Sequence, residues 1–148
     1  MKKLSIAVAL MAMLLGTSAF AGPEPTVSSI LENALRKNFA GATNVNWEFT
    51  PDFNFANFVV DGKTVDAAFN EEGDLLGFSR NIHLTEVPKA VLESLQAKYP
   101  DFTISSQVAE VRYEGKTFYN VVAQDKKKIL KLKCLANGRI FVESRFKK

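Results

Sequence analysis

The sequence contains few of the side chains that most often carry catalysis or bind metals. It has one cysteine, Cys134, and one histidine, His83, in 148 residues. A single cysteine excludes a disulfide within the chain. One histidine and one cysteine 51 positions apart also lack the ligand spacing of a zinc site. We therefore expect no catalytic residues, no metal ion and no cofactor, and we interpret the protein as non-enzymatic.

These two residues have ordinary structural interpretations. A catalytic histidine needs a nucleophile and an orienting acid beside it, whereas His83 lies at a predicted strand end just before a helix. We interpret it as a loop histidine. Cys134 is in phase with Leu130 and Leu132 on one face of a predicted strand, and this position indicates a small buried side chain.

Long apolar runs are also scarce, and one occurs near the start of the chain. Residues 4–15 are almost all apolar, two lysines precede them, and the tripeptide Ala19-Phe20-Ala21 follows shortly after. A basic start, a short apolar centre and a small-x-small site are the three parts of a secretory signal peptide. The run is shorter than the roughly 20 residues that span a bilayer. We predict cleavage after Ala21 and a periplasmic or secreted mature domain over residues 22–148, without a transmembrane segment.

Acidic and basic residues are divided between the two halves of that domain. Residues 22–86 contain 4 Lys or Arg and 10 Asp or Glu, a net charge of −6. Residues 87–148 contain 13 Lys or Arg and 6 Asp or Glu, a net charge of +7. Such asymmetry indicates an interaction surface. Export argues against nucleic acid as the partner, so we expect an extracytoplasmic protein.

Apolar spacing predicts the same structural module twice. Two sets of residues at steps of four, Val27, Leu31, Leu35 and Phe39, then Val87, Val91, Leu95 and Tyr99, lie sixty positions apart. This spacing is typical of amphipathic helices. Alternating apolar and polar residues after each helix predict four antiparallel strands. We therefore predict an α+β fold in which a helix plus four strands is duplicated over about 26–86 and 87–148, with both helices on one face of the sheet.

The residues that begin and end these elements form a series of short motifs. They are Ala42-x-x-Val45-x-Trp47, Asp61-Gly62, the run from Ala68 to Gly73, Val87-Pro88 and Tyr99-Pro100. Together with the signal peptide, the series resembles the PepSY-like family of exported bacterial proteins, which is described as similar to β-lactamase-inhibitor proteins. The resemblance implies a tandem helix-on-sheet domain that binds or inhibits an extracytoplasmic enzyme. It places no inhibitory motif on particular positions, since a fold alone does not transfer function.

The basic second half supplies the candidate binding residues. If the apolar residues at 130, 132 and 134 face the helix, Lys131 and Lys133 lie on the opposite face of the strand. Simple alternation along the next strand places Phe141 and Arg145 there as well. Aromatic and arginine side chains on an exposed sheet face are typical of binding surfaces. The alternatives are a solvated sheet face, or a basic half that pairs with the acidic half.

Three functions follow from these patterns. The favoured one is an exported binding module, an inhibitor or regulator of an extracytoplasmic enzyme, that acts through the open sheet face. The alternative is a periplasmic carrier of a small apolar ligand or peptide, with Trp47 and phenylalanine-rich strands around a cavity. Aromatic stripes more often form a core. The third is a weak hydrolase dependent on His83.

Overall fold

The computed structural model of the protein describes residues 26–148, in which it has two α-helices and nine β-strands. The strands pair antiparallel, and they make up most of the regular structure. The chain divides into two units, one up to Arg80 and one over Asn81–Lys148. The predicted signal peptide and its cleavage site after Ala21 lie outside the described residues.

The first unit is a helix followed by an antiparallel meander. Its elements are α1 (Ser29–Asn38), β1 (Thr43–Phe49), β2 (Asn54–Val60), β3 (Lys63–Phe69) and β4 (Leu75–His83). Each strand pairs with the next one along the chain. Asp61 and Gly62 join β2 to β3 with φ of 50° and 72°, the positive values that a two-residue hairpin turn requires.

One face of α1 forms the core of this unit with the strands. The core comprises Leu31, Ala34, Leu35, Ala56, Phe58, Val65, Ala67 and Phe69. Phe39 follows the end of α1, and its ring lies 4.8 Å from that of Phe58 and 5.3 Å from that of Phe78. The Ser28 side chain caps the start of α1 by accepting a hydrogen bond from the backbone N–H of Leu31 at 3.3 Å.

The second unit has the same kinds of element with one additional short strand. A 3-10 turn (Leu84–Glu86) leads to α2 (Lys89–Lys98), β5 (Thr103–Ile104), β6 (Gln107–Tyr113), β7 (Lys116–Gln124), β8 (Lys128–Leu135) and β9 (Ile140–Lys147). Strands β6 to β9 form a meander, and β5 also pairs with β7. The backbone of Ser105 donates to Val122 and that of Ser106 accepts from Leu84. The interruption between β5 and β6 therefore lies at Ser105 and Ser106.

The division between the units falls inside β4, a few residues before the predicted repeat boundary at 86/87. Ile82 belongs to the core of the second unit, together with Val91 and Leu95 of α2. The strands contribute Val108, Tyr119, Val121, Ala123, Leu130, Leu132 and Cys134 to the same core. Because Ile82 is buried in this core, the end of β4 belongs to the second unit.

Each unit places a glycine turn against its own helix. A Cβ added at Gly73 would lie 2.9 Å from Cγ2 of Ile30, and one added at Gly138 would lie 2.7 Å from the carbonyl oxygen of Ala90. Ile30 and Ala90 are sixty positions apart, the offset between the two predicted helices. The two turns thus have matching surroundings, whereas duplication as their origin stays a prediction.

Substitution Gly138→Ala should destabilise the protein more than Gly115→Ala does. Both glycines have positive φ, 88° and 71°, but a Cβ at Gly115 has no atom within 4 Å. We expect a loss of about 1 kcal/mol in the free energy of unfolding for Gly115→Ala, from backbone strain. Gly138→Ala should lose about 2 kcal/mol more, because the new methyl group overlaps α2. Urea denaturation measures both values, and equal losses would show that the turn does not press on the helix.

Candidate binding surface

The register between β8 and β9 decides which side chains share a face. Leu132 lies opposite Val142 and Lys131 lies opposite Ser144, so Glu143 has no partner on β8. One additional residue in a strand is a β-bulge, and it changes the alternation of the side chains beyond it.

This bulge corrects one of the predicted site residues. Lys131, Lys133 and Phe141 share the face away from α2, as expected, because Lys133 lies directly opposite Phe141. Arg145 lies opposite Leu130, which is part of the core, so its side chain is on the helix side of the sheet. The expectation that Arg145 joins the open face is wrong, because simple alternation ignores the bulge. Phe146, opposite Ile129, takes its place.

Lysines and phenylalanines contact one another on this face. The ammonium of Lys133 lies 4.1 Å from the ring centre of Phe118, and that of Lys131 lies 5.5 Å from the ring centre of Phe146. The Arg139 guanidinium lies 5.4 Å from the ring of Phe141. These distances are those of cation–π contacts. We call Phe118, Val122, Lys131, Lys133, Phe141 and Phe146 the basic-aromatic surface.

Exposed apolar side chains are concentrated here. The large hydrophobic residues that are exposed in the described chain are Ile30, Val122, Phe141, Val142 and Phe146. Val122 lies opposite Lys131, on the same face as Phe141 and Phe146. Phe141 is 44% exposed and Phe146 is 47% exposed. Scattered apolar residues are ordinary on a protein surface, whereas a group of them is typical of an interaction site.

Positive charge surrounds the surface. Residues 126–148 contain nine Lys or Arg and a single acid, Glu143, for a net charge of +8. No carboxylate of residues 26–148 forms an ion pair with Lys131 or Lys133. In the preceding turn, Asp125 accepts hydrogen bonds from the backbone N–H groups of Lys127 and Lys128 at 2.7 and 2.8 Å. The first of these bonds is the main reason why the pKa of Asp125 lies below its usual value.

A buried amide on the same face has an unused acceptor. Asn120 lies opposite Lys133 and is 9% exposed, and its Oδ1 accepts no hydrogen bond from any described residue. A buried polar atom without a partner costs about 1–3 kcal/mol. Local sequence patterns do not identify Asn120 as buried, because its burial depends on strand pairing.

His83 and Cys134 have structural surroundings. The backbone N–H of Thr85 donates to Nδ1 of His83 at 3.3 Å, and the Glu86 carboxylate accepts from the backbone N–H of His83 at 2.7 Å. His83 is the last residue of β4 and caps the 3-10 turn, so its predicted place at a strand end is confirmed, whereas its interpretation as a loop residue is not. Cys134 is fully buried, as predicted, and burial raises the pKa of its thiol to about 11.

Residues 26–148 include no cluster of three or more His, Cys, Asp or Glu that could hold a metal ion. In the same part of the chain, neither helix has the length and apolar character needed to cross a membrane.

A buried carboxylate lies in the first unit, where the sequence predicted none. Asp66 pairs with Asn57 and Ser79 on the face of β3 away from α1. The amide of Asn57 donates to its Oδ1 at 2.7 Å, but Oδ2 is buried without a partner among the described residues. Burial raises the pKa of Asp66, and the hydrogen bond from Asn57 lowers it by a smaller amount.

A groove of about 450 Å³ runs between α1 and β1 in the first unit. Its lining includes Glu32, Leu35, Arg36, Phe39, Val45 and Trp47. The indole of Trp47 stacks on Phe49 at 6.2 Å and contacts Phe69 at 5.8 Å, so the aromatic wall is fixed by the core. Arg36 has no ion-pair partner among the described residues. The groove therefore combines an apolar wall with an available cation.

Comparison with solved structures identifies the fold. A BLIP-like protein (one resembling a β-lactamase-inhibitor protein) of Bacteroides fragilis NCTC 9343 matches with a TM-score of 0.70 and 20% identity, over 84% of this chain and 89% of its own. A DUF2874 family protein of Bacteroides uniformis ATCC 8492 matches with a TM-score of 0.68 and 16% identity, over 82% and 90%. A protein of Bacteroides eggerthii DSM 20697 with a provisional periplasmic assignment matches with a TM-score of 0.69 and 18% identity, over 83% and 90%.

Sequence identities this low show a shared fold and nothing further. The chain therefore has a BLIP-like fold. No family model and no curated protein matches the sequence.

Substitution Asp66→Asn should stabilise the protein at pH 7. Burial raises the pKa of Asp66 in the folded state, so the ionised carboxylate is penalised there and not in the unfolded chain. Below pH 3.8, the ordinary pKa of an aspartate, this penalty on the stability of the folded state is absent. The penalty grows as the pH rises above that value. The advantage of the variant should therefore be present at pH 7 and vanish near pH 3.5.

Urea denaturation at several pH values measures this difference. Asp101→Asn removes the same charge from an exposed position and serves as the control. If Asp66→Asn were less stable than the wild type at pH 7, the carboxylate would be making a favourable contact that outweighs its burial.

Proposed function

We propose that the protein is an exported, non-enzymatic binding module that engages another extracytoplasmic protein through the basic-aromatic surface. The observation that carries the proposal is the group of exposed apolar side chains among unpaired lysines on the face away from α2. Apolar residues supply affinity when they are buried by a partner. Lysines around them favour an acidic partner and accelerate the encounter with it.

The resemblance to the PepSY-like family and the BLIP-like fold both support this role. They favour an inhibitor or regulator of an extracytoplasmic enzyme, because that is the role which the resemblance implies. The predicted signal peptide supports export. His83 caps the 3-10 turn and Cys134 is buried, and these contacts favour a binding role over a hydrolase dependent on His83.

Charge reversal on this face should abolish partner binding. The double variant Lys131→Glu with Lys133→Glu should weaken binding of the partner isolated from envelope extract at least about tenfold, since it places carboxylates against an acidic surface. Phe146→Ser should weaken it by a similar factor, through loss of an apolar contact. Isothermal titration calorimetry with the isolated partner measures both.

The matched control is Lys89→Glu with Lys98→Glu, two substitutions on α2 that change the net charge equally. This control should bind within about threefold of the wild type, because distant charges are screened by salt. If both double variants bound alike, the basic-aromatic surface would not be the binding site.

The groove beside Trp47 favours a second function, that of a carrier for a small apolar ligand. Its volume of about 450 Å³ falls within the usual range for ligand sites. The wall formed by Phe39, Val45 and Trp47 suits a hydrocarbon chain, and Arg36 suits a carboxylate at the end of that chain.

Decanoate tests this function directly, because Trp47 is the one tryptophan in the sequence and its fluorescence reports on the groove alone. We expect a saturable blue shift of the emission. Arg36→Ala should weaken binding about fivefold, the value of an exposed ion pair. Lys37→Ala removes a neighbouring exposed cation and should have little effect. An emission spectrum unchanged by decanoate would exclude this carrier function.

A further inference from the structure

Strand β9 has a free edge. It pairs with β8 and with no other described strand, and it stands at the end of the strand order. Its eight residues therefore offer backbone N–H and C=O groups along the side away from β8. A free edge of this length is a template on which another extended chain can pair.

Four of the eight side chains of this edge are apolar. Phe141 and Phe146 project on the face away from α2, and Val142, 36% exposed, projects on the helix side. Proteins usually protect such edges with charges or bulges. Here the bulge at Glu143 interrupts the pairing at one point and leaves the segments on both sides extended.

The charged side chains of β9 determine which kind of strand can pair with its free edge. Arg145 and Lys147 lie on the helix side of β9, opposite Leu130 and Lys128. A second copy of β9 in a register that sets Arg145 and Lys147 opposite their equivalents would bring these cations against one another, whereas an acidic strand would complement them. Like charges on adjacent strands are destabilising and opposite charges are stabilising.

We propose that β9 is an acceptor edge for an extended acidic segment of the partner protein, which adds as a further antiparallel or parallel strand. Its apolar side chains lie beside Phe141 and Phe146, and its alternate carboxylates lie beside Arg145 and Lys147. Neighbouring strands are about 4.8 Å apart, which places these side chains in contact. This inference rests on the proposed function and names the partner's binding segment.

The pattern of the segment follows from the faces of β9. Successive side chains of a strand alternate between faces, so the part of the segment beside Arg145, Phe146 and Lys147 alternates acidic and apolar residues. Main-chain hydrogen bonds to the edge supply affinity in this mode of recognition, and the alternate side chains supply specificity.

A labelled eight-residue peptide that alternates Glu with Val or Phe tests the proposal by fluorescence polarisation. We expect binding that weakens at least about tenfold when Lys replaces every Glu, or when the backbone nitrogens facing β9 are methylated. Arg145→Glu with Lys147→Glu in the protein should weaken binding of the unmodified peptide to a similar extent. The α2 pair Lys89→Glu with Lys98→Glu should not.

Several results would overturn the proposal. One is equal binding of the methylated and unmodified peptides, which would mean that the edge is not paired. Another is a dimer in light scattering that Phe146→Ser disperses, which would identify a second copy as the occupant. A third is binding to vesicles of anionic phospholipid without binding to the peptide.

Different results would overturn the proposed function and this inference. If Lys131→Glu with Lys133→Glu abolished binding of the isolated partner while Arg145→Glu with Lys147→Glu did not, the face would be the site and the edge would not. If neither pair affected partner binding, both proposals would fail.

Discussion

The pairing of β8 with β9 controls most of what the second unit can do. Cys134, Leu132 and Leu130 are buried towards α2, which forces the intervening lysines onto the other face. The bulge at Glu143 then determines which residues of β9 join them. A one-residue shift exchanges the two faces of a strand, so without the bulge Arg145 would occupy the position that Phe146 holds. The register between β8 and β9 thus explains why aromatic and basic side chains share this surface.

Each unit also carries an unsatisfied polar atom on the face away from its helix. These atoms are Oδ2 of Asp66 in the first unit and Oδ1 of Asn120 in the second. Both lie in the interior of a meander, where each residue is flanked by two paired strands. An apolar side chain would be more stable in isolation at either position. Retaining Asp66 and Asn120 therefore lowers the free energy of unfolding. The two core clusters on the helix sides of the strands consist of apolar residues.

Much of the fold could be predicted from the sequence, because the signals that define it are local. Apolar residues four positions apart, such as Leu31 and Leu35, are recognised from one short stretch of sequence. The same is true of the Asp61-Gly62 turn. Lys131, Lys133 and Phe141 were also placed on the correct face by alternation alone. Arg145 was not, since a bulge depends on how two strands match. The burial of Asp66 was missed for the same reason, as no residue close to it in sequence indicates it.

The contacts between lysines and phenylalanines explain how such a surface can exist on an uncomplexed protein. A lysine lying over a ring covers part of it, and each exposed contact of this kind contributes about 0.5–1 kcal/mol. Lys131 therefore lies over Phe146, which stays 47% exposed, and Lys133 lies over Phe118, which is 8% exposed. Their charges also keep copies of the chain apart. A partner that brings carboxylates and apolar groups together can draw the ammonium groups aside and cover the rings, which a neutral or basic surface cannot do. The proposed selectivity for an acidic partner thus depends on the same lysine–phenylalanine contacts that cover the rings in the free protein.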